Sequence, residues 1–183
     1  MTTMKKNLIW FAVFLIIAAA ATRVLRHLGF IDLPPNVAPV AALALFGGVF
    51  LPKRYAVALP LGVMLVSDLL IGFYTPAVML SVYASFLASS LIGFWVRKRQ
   101  NLGTVVSGTL LGSVVFFLTT NAAVWMFGTW YPKTLQGLMG AYLAGIPFFR
   151  NTVLGDLGFV GIMFGTYALT QYLVRHRVTV SQP

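Results

Sequence analysis

The sequence contains no cysteine and only three acidic residues, Asp32, Asp68 and Asp156. The absence of cysteine excludes disulfide bonds and thiolate metal sites within the chain. Charged residues make up 9% of the sequence, whereas a soluble domain carries about 25%. This scarcity of charge excludes an ordinary soluble domain.

The residues that are present are mostly apolar. The 183-residue chain is 59% hydrophobic and has a mean hydropathy of +0.89. Its net charge of +10 would suit a nucleic-acid-binding protein, but the lysines and arginines lie in small groups between long apolar runs. This arrangement is typical of a multi-pass membrane protein. We therefore predict a cell-membrane location, contact with membrane lipid and no nucleic-acid partner.

Six apolar segments approach the ~20 residues that a membrane-spanning helix needs. They predict an all-α integral membrane protein, a six-helix transmembrane bundle formed by one domain over residues 1–183, with spans at residues 8–25, 37–51, 55–73, 76–96, 104–127 and 151–174. The first segment resembles a signal peptide, but because further spans follow we expect an uncleaved helix. Before the last span, residues 129–150 carry apolar residues at helical spacing, which predicts a short surface helix that stops near Pro147.

The distribution of basic residues predicts the orientation of this bundle. With the N-terminus in the cytoplasm, the inner loops hold nine lysines and arginines: Lys5, Lys6, Lys53, Arg54, Arg97, Lys98, Arg99, Arg175 and Arg177. The outer loops then hold four: Arg23, Arg26, Lys133 and Arg150. Because positive charge favours the cytoplasmic side, we expect both termini to be cytoplasmic.

Polar residues from several spans fall at one depth on the outer side of this topology. Asp68 and Asn121 lie near the outer ends of the third and fifth spans, and Asp156 lies in the first turns of the sixth. A carboxylate at membrane depth costs about 2.5–3.5 kcal/mol on insertion scales, so it is a functional candidate. We predict an outward-facing pocket whose substrate-binding residues are Asn36, Asp68, Tyr74, Asn121, Trp125, Arg150, Asn151 and Asp156. We expect no catalytic residue, metal ligand or cofactor.

Structural interpretations of the same residues stay open. Asn121 could form a hydrogen bond between helices, and Arg150 could form an ion pair with Asp156 or Asp68. Repeated small residues predict close helix-packing faces: Ser81, Ser85, Ser89 and Gly93; Gly108 and Gly112; Gly158, Gly161 and Gly165. The histidines at 27 and 176 flank spans among arginines, and we expect neither to have a functional role.

Several runs of the sequence carry a family resemblance: residues 35–48, 67–73, 120–121, 131–134 and 151–157. On these runs the chain resembles an uncharacterised bacterial family of small membrane proteins described as transport proteins, which implies the inner membrane. The six-span plan is more loosely similar to the substrate-binding S components of energy-coupling-factor vitamin transporters. That similarity implies a small organic substrate, such as a vitamin-like compound, and an energising transporter module as partner.

Three functions are compatible with these features. The first is a transport protein that binds a small organic substrate in the outward-facing pocket. The second is a proton-coupled secondary transporter in which Asp68 and Asp156 titrate. The third is an intramembrane aspartyl protease in which the two carboxylates share a proton. We expect the protein not to be an enzyme, because no hydrolase or phosphate-binding motif is present.

Overall fold

The computed structural model describes the backbone of residues 3–180 and the side chains of residues 10, 13, 14 and 16–174. Within that range the chain forms six α-helices and no strand. The helices are α1 (Thr3–His27), α2 (Val40–Phe50), α3 (Lys53–Ile71), α4 (Pro76–Val96), α5 (Leu102–Phe127) and α6 (Leu135–Val180). The predicted all-helical fold is confirmed.

Four of these helices, α3 to α6, are long and apolar enough to cross a membrane. Their outward-facing residues include many large apolar side chains, for example Leu69, Leu91 and Leu154. In water such surfaces would be unstable, whereas in a bilayer they face lipid tails. The helices therefore indicate a membrane protein. The predicted first span falls within α1, several of whose side chains lie outside the described set.

The shortest helix, α2, lies at the centre of the bundle. It contacts each of the other five helices, and nine of its 11 residues are buried. At 1.5 Å per residue it is about 16 Å long, roughly half of the ~30 Å hydrocarbon core. The helix within the predicted second span, residues 37–51, is therefore too short to cross the core by itself. Pro34, Pro35 and Pro39 explain the late start, because proline and the residue before it disfavour helical backbone.

Glycines allow α2 and α4 to pack with their backbones in contact. A Cβ atom at Gly48 would lie 2.4 Å from the Ser90 carbonyl oxygen, and one at Gly93 would lie 2.5 Å from the Leu45 carbonyl oxygen. Both distances are shorter than the non-bonded contacts that Cβ atoms make in proteins, so only glycine fits at these two positions. The small-residue face predicted on α4 is thus confirmed as a packing face.

Arg97, just after α4, fixes the C-terminal end of α2. Its Nε donates to the Gly48 carbonyl oxygen at 2.9 Å, and its Nη2 donates to the carbonyl oxygens of Gly48 and Leu51. These carbonyls lie at the helix end, where a cation is favourable because the helix dipole is negative there. The contact brings the α2–α3 turn and the α4–α5 loop to one end of the molecule. We call this the basic end, since it also carries Lys53, Arg54, Lys98 and Arg99.

The helices α5 and α6 form a long antiparallel hairpin. α5 begins with a capping box in which the side chain of Asn101 accepts from the Thr104 amide at 2.9 Å. At the other end of α5, Trp125 donates to the Pro132 carbonyl oxygen at 2.9 Å. Along the hairpin, a Cβ atom at Gly145 would lie 2.5 Å from the Asn121 side-chain oxygen, so the two helices approach closely there.

The predicted break before the sixth span does not exist. α6 runs without interruption from Leu135 through Pro147 to Val180, a length of 46 residues. Proline removes one helical hydrogen bond and usually bends a helix, but it does not have to end one. The residues expected to form a separate surface helix instead pack on α5, where Tyr142 donates to the Leu118 carbonyl oxygen at 3.0 Å.

The other predicted small-residue faces divide into two groups. Gly108 and Gly112 of α5 are buried against α4, where Cβ atoms would lie 2.6 Å from Val96 and 3.2 Å from Ser89. For Gly158, Gly161 and Gly165 of α6, a Cβ atom would meet nothing within 4 Å. The prediction is confirmed for α5 and wrong for α6.

Candidate functional site

A cavity of about 500 Å³ lies beside the N-terminal end of α2. Its apolar walls are formed by Val37, Ala38, Val40, Ala41, Met64, Ile71, Val82, Phe86 and Phe116. Its polar lining consists of Arg23, Arg26, His27, Asn36, Tyr74, Thr152 and Asp156. All six helices contribute to the lining. A volume of this size with apolar walls and a few polar groups is typical of small-molecule sites.

Four polar residues form one end of the cavity, which we call the mouth: Arg26, His27, Asn36 and Tyr74. They lie where α1 ends, in the connection before α2 and in the α3–α4 loop, and three of them are exposed. This end is opposite the basic end, because α1 and α3 finish here while α2 and α4 finish at the basic end. The cavity therefore opens at one end of the bundle.

A turn places Asn36 at the mouth. The Val37 amide donates to the Pro34 carbonyl oxygen at 3.2 Å, and Asn36 has a φ of 64°. Proline at the second position and a positive φ at the third are the pattern of a type II turn, and asparagine tolerates that conformation better than most residues. The sequence Pro-Pro-Asn-Val thus forms the turn that holds Asn36 in place and leaves its side-chain amide exposed.

Arg23 and Asp68 form an ion pair beside the mouth. The Arg23 Nη2 lies 2.8 Å from the Asp68 Oδ1, and the Arg23 Nη1 donates to the Ser67 hydroxyl at 2.6 Å. The hydroxyl of Tyr83 donates to the Asp68 Oδ2 at 2.9 Å. Asp68 is 1% exposed, so its carboxylate is fully enclosed by these partners. Arg23 lines the cavity while Asp68 lies behind it.

Tyr74 and Arg26 are the other donors at the mouth. Burial raises the pKa of the Tyr74 hydroxyl to about 12, and the negative charge of Asp68 adds to that effect while Arg23 opposes it. This hydroxyl therefore remains protonated at physiological pH and can donate a hydrogen bond. Arg26 donates its Nε to the Leu33 carbonyl oxygen at 2.9 Å, which ties α1 to the connection before α2.

Asp156 and Thr152 lie one turn apart on α6 and form the floor of the cavity. They are 4% and 5% exposed. The Asp156 Oδ2 accepts from the Ser113 hydroxyl of α5 at 2.7 Å, and the Thr152 hydroxyl donates to the Phe148 carbonyl oxygen at 2.9 Å. Among the described side chains no cation lies within 4 Å of Asp156. The floor therefore presents a carboxylate without a charged partner.

The structure brings some of the predicted binding residues together and separates others. Asn36, Tyr74 and Asp156 line the cavity, whereas Asp68 does not and lies behind it, paired with the lining residue Arg23. The others lie elsewhere along the α5–α6 hairpin: Asn121, Trp125, Arg150 and Asn151 do not line the cavity. Asn121 donates to the Phe117 carbonyl oxygen of its own helix at 2.8 Å, and Arg150 is exposed.

The position of Asp156 within its helix differs from the prediction. The sequence predicts it in the first turns of a helix, but because α6 begins at Leu135 it lies roughly six turns inside the helix. The pairing of Arg150 with either aspartate does not occur among the described residues, where Arg23 and Asp68 form the ion pair.

Four polar lining residues were not predicted from the sequence: Arg23, Arg26, His27 and Thr152. The two arginines entered the prediction only as charges of the outer loops, and we expected no role for His27. A signal was present nonetheless, because a buried aspartate needs a cation and these arginines were the nearest in depth to Asp68. The side chain of the other histidine, His176, lies outside the described set.

Comparison with known proteins places the chain in a family. Residues 3–178 match a family of unknown function, DUF6580. The chain belongs to this family. The match agrees with the resemblance to an uncharacterised family, while no curated protein and no solved structure matches the chain. Among the described residues no group of three or more histidines and aspartates could hold a metal ion.

Proposed function

We propose that the protein is a membrane transport protein that binds a small organic molecule in the cavity. The observation that supports this most is the combination of volume and lining. A space of about 500 Å³ in a small helical bundle is lined by apolar side chains from α2 to α5 and by polar groups of α1, α6 and two connections. Packed protein interiors have few voids larger than a water molecule, so a cavity of this size favours a ligand site.

We further propose that the cavity faces the outside of the cell and that both termini are cytoplasmic. The basic end carries Lys53, Arg54 and the group at 97–99, and positive charge favours the cytoplasm. The mouth lies at the opposite end. An outward mouth, a six-helix plan and a closed basic end are features that a substrate-capturing component such as an S component would have, with a separate module supplying energy.

Proton coupling is the second candidate function, and one observation favours it. Asp156 is buried at the cavity floor and has Ser113 rather than a cation as its partner. Such a carboxylate can bind a proton together with the ligand. Asp68 is less suited to this role, because its carboxylate already pairs with the Arg23 guanidinium.

The protease alternative receives no comparable support. A catalytic aspartate pair must share a proton across a short contact. Here Asp68 bonds Arg23 and Tyr83, whereas Asp156 bonds Ser113. We therefore do not propose proteolysis.

Native mass spectrometry tests the proposed function. The purified protein is incubated with a concentrated extract of small metabolites, released from detergent and weighed. We expect wild type to carry a bound small molecule. The Ala41→Trp variant should lose it, because the larger side chain fills the cavity that position 41 lines.

Leu91→Trp is the matched control, since Leu91 is 59% exposed on the bundle surface. It should retain the adduct. An adduct that persists in Ala41→Trp would place the ligand elsewhere, and a wild-type protein without any adduct after incubation would contradict the proposed function.

A further inference from the structure

The charges around the cavity are distributed unevenly. The lining includes two guanidinium groups and an imidazole at or near the mouth, and one carboxylate at the floor. Asp68 neutralises Arg23. Among the described side chains, Arg26 has no carboxylate within 4 Å. The mouth therefore carries an uncompensated positive charge.

The nearby acidic residue, Asp32, forms no ion pair with Arg26. Asp32 lies in the connection between α1 and α2, where it is exposed and does not line the cavity. The donors at the mouth add to the effect of Arg26, because the Tyr74 hydroxyl and the Asn36 amide can both donate to an anion. An anionic oxygen group is the complement of these three side chains.

The floor has the opposite character. Asp156 offers carboxylate oxygens in a buried place, where a hydrogen-bond donor or a cation on the ligand would be favoured. Between the two ends lie the apolar side chains of Met64, Phe86 and Phe116. The lining thus changes from cationic, through apolar, to anionic.

We propose that the ligand is an amphiphilic acid with a donor at its far end. Its carboxylate or phosphate group lies against Arg26 at the mouth, its apolar body contacts Phe86 and Phe116, and an N–H or O–H group donates to Asp156. This assignment rests on the proposed function, since it names the class of molecule that the same cavity would bind.

Charged thiol reagents test the polarity of the cavity without a known ligand. Ala41→Cys places the single thiol of the chain in the cavity lining. Its rates with sulfonatoethyl and trimethylammonioethyl methanethiosulfonate are measured in phosphatidylcholine nanodiscs and divided by the rates with free mercaptoethanol. Arg26→Gln should lower the normalised anion-to-cation ratio, and Asp156→Asn should raise it, each by about fivefold for one charge at short range.

Two controls separate these effects from general changes. Asp32→Asn removes an exposed carboxylate outside the lining and should leave the ratio unchanged, and Arg26→Lys keeps the charge and should do the same. A ratio that Asp32→Asn alters as strongly as Arg26→Gln would overturn the proposed polarity.

Protection by small acids tests the ligand class. The probes are 4-(4-aminophenyl)butanoate, its neutral amide and 4-phenylbutanoate, each added before the reagent to the Ala41→Cys protein. We expect the amino-substituted acid to protect the thiol at position 41 about tenfold better than the amide, in line with a charge-assisted hydrogen bond. That advantage should disappear in Arg26→Gln. The amino-substituted acid should also protect better than 4-phenylbutanoate, which lacks the N–H donor. This second advantage should decrease in Asp156→Asn, because a neutral amide oxygen is a weaker acceptor than a carboxylate.

The outcomes distinguish the two proposals. Equal protection by acid and amide would overturn the acidic ligand class while leaving small-molecule binding intact. No protection together with no adduct in mass spectrometry would contradict both. If phosphatidylglycerol in the nanodisc displaces the acid, the anion is a lipid headgroup, and the assignment to a soluble ligand is wrong.

Discussion

The two ends of the bundle differ in how closely the same helices pack. At the basic end, α2 and α4 touch through Gly48 and Gly93, and Arg97 closes the end of α2. At the mouth, the neighbouring helices stand around a cavity of about 500 Å³. The difference arises from the length of α2, which is about half of what the bilayer core requires.

The short α2 also explains why the cavity exists. A full-length central helix would fill the bundle from end to end. Because prolines delay the start of α2 until Val40, the half of the core nearer the mouth contains an extended connection instead of a helix. The connection is thinner than a helix and carries Asn36 and Val37 into the cavity wall. The polar groups of the surrounding helices therefore face a space rather than packed side chains.

The largest effect is expected from the ion pair beside the mouth. Arg23→Met leaves the buried Asp68 carboxylate without its cation. Removal of one partner of a buried pair costs roughly 3–5 kcal/mol, and because Arg23 is itself partly exposed we expect about 3 kcal/mol. Unfolding in mixed dodecylmaltoside–SDS micelles, followed by circular dichroism, measures this loss.

The double variant Arg23→Met, Asp68→Asn serves as its control. Asparagine removes the charge and can still accept from Tyr83, so much of the stability should return. A single variant as stable as wild type would show that the pair contributes nothing to holding α1 against α3.

The next effect belongs to the packed end. Gly48→Ala would place a Cβ atom 2.4 Å from a backbone oxygen of α4, so the two helices must separate. We expect a loss of about 2 kcal/mol, within the range for overpacked cores. The same unfolding measurement checks it.

Gly161→Ala is the matched control on α6, where a Cβ atom meets nothing within 4 Å. It should be neutral or stabilising, because alanine is the better helix former. Equal losses at both positions would mean that backbone contact does not distinguish the packed end.

The smallest effect concerns the turn at the mouth. Asn36→Ala puts a side chain with a Cβ atom and no local hydrogen bond at a φ of 64°, which costs about 1 kcal/mol. Asn36→Gly should keep the turn, since glycine adopts positive φ readily. Both variants lose the amide, so both should weaken binding of the mass-spectrometric adduct. Equal stability of the alanine and glycine variants would contradict the strained turn.

Hydropathy and charge made much of this fold predictable. The apolar segments gave helices close to α3, α4 and α5, and the glycines of α5 predicted its packing face. The length of α2 was harder to predict. Its apolar run begins before Pro39, and a hydropathy scale does not show that the prolines lack the backbone N–H groups that a helix needs. Pro147 misled in the other direction, since whether proline bends or ends a helix depends on the tertiary contacts around it.

The candidate site was predictable only in part for a related reason. Depth along a span is estimated from the sequence, and it singled out Asp68 and Asp156, both of which are buried in the structure. Rotation about the helix axis does not follow from depth, so Asn121 and Trp125 were grouped with residues that face the cavity. Arg23 was recognisable only through its partner on another helix, a contact that requires the packing of α1 on α3.

Thiol accessibility in living cells tests the central claim that a half-length α2 leaves a cavity open to the outside. Ala41→Cys lies in the cavity wall, whereas Ala44→Cys lies one turn further into the packed half, where Ala44 is 0% exposed. With the membrane-impermeant sulfonatoethyl methanethiosulfonate, we predict that the thiol at position 41 reacts in intact cells and that the thiol at position 44 does not, with Lys133→Cys as a positive control. Failure of the position-41 thiol to react where the position-133 thiol reacts, or equal reaction at positions 41 and 44, would contradict the account.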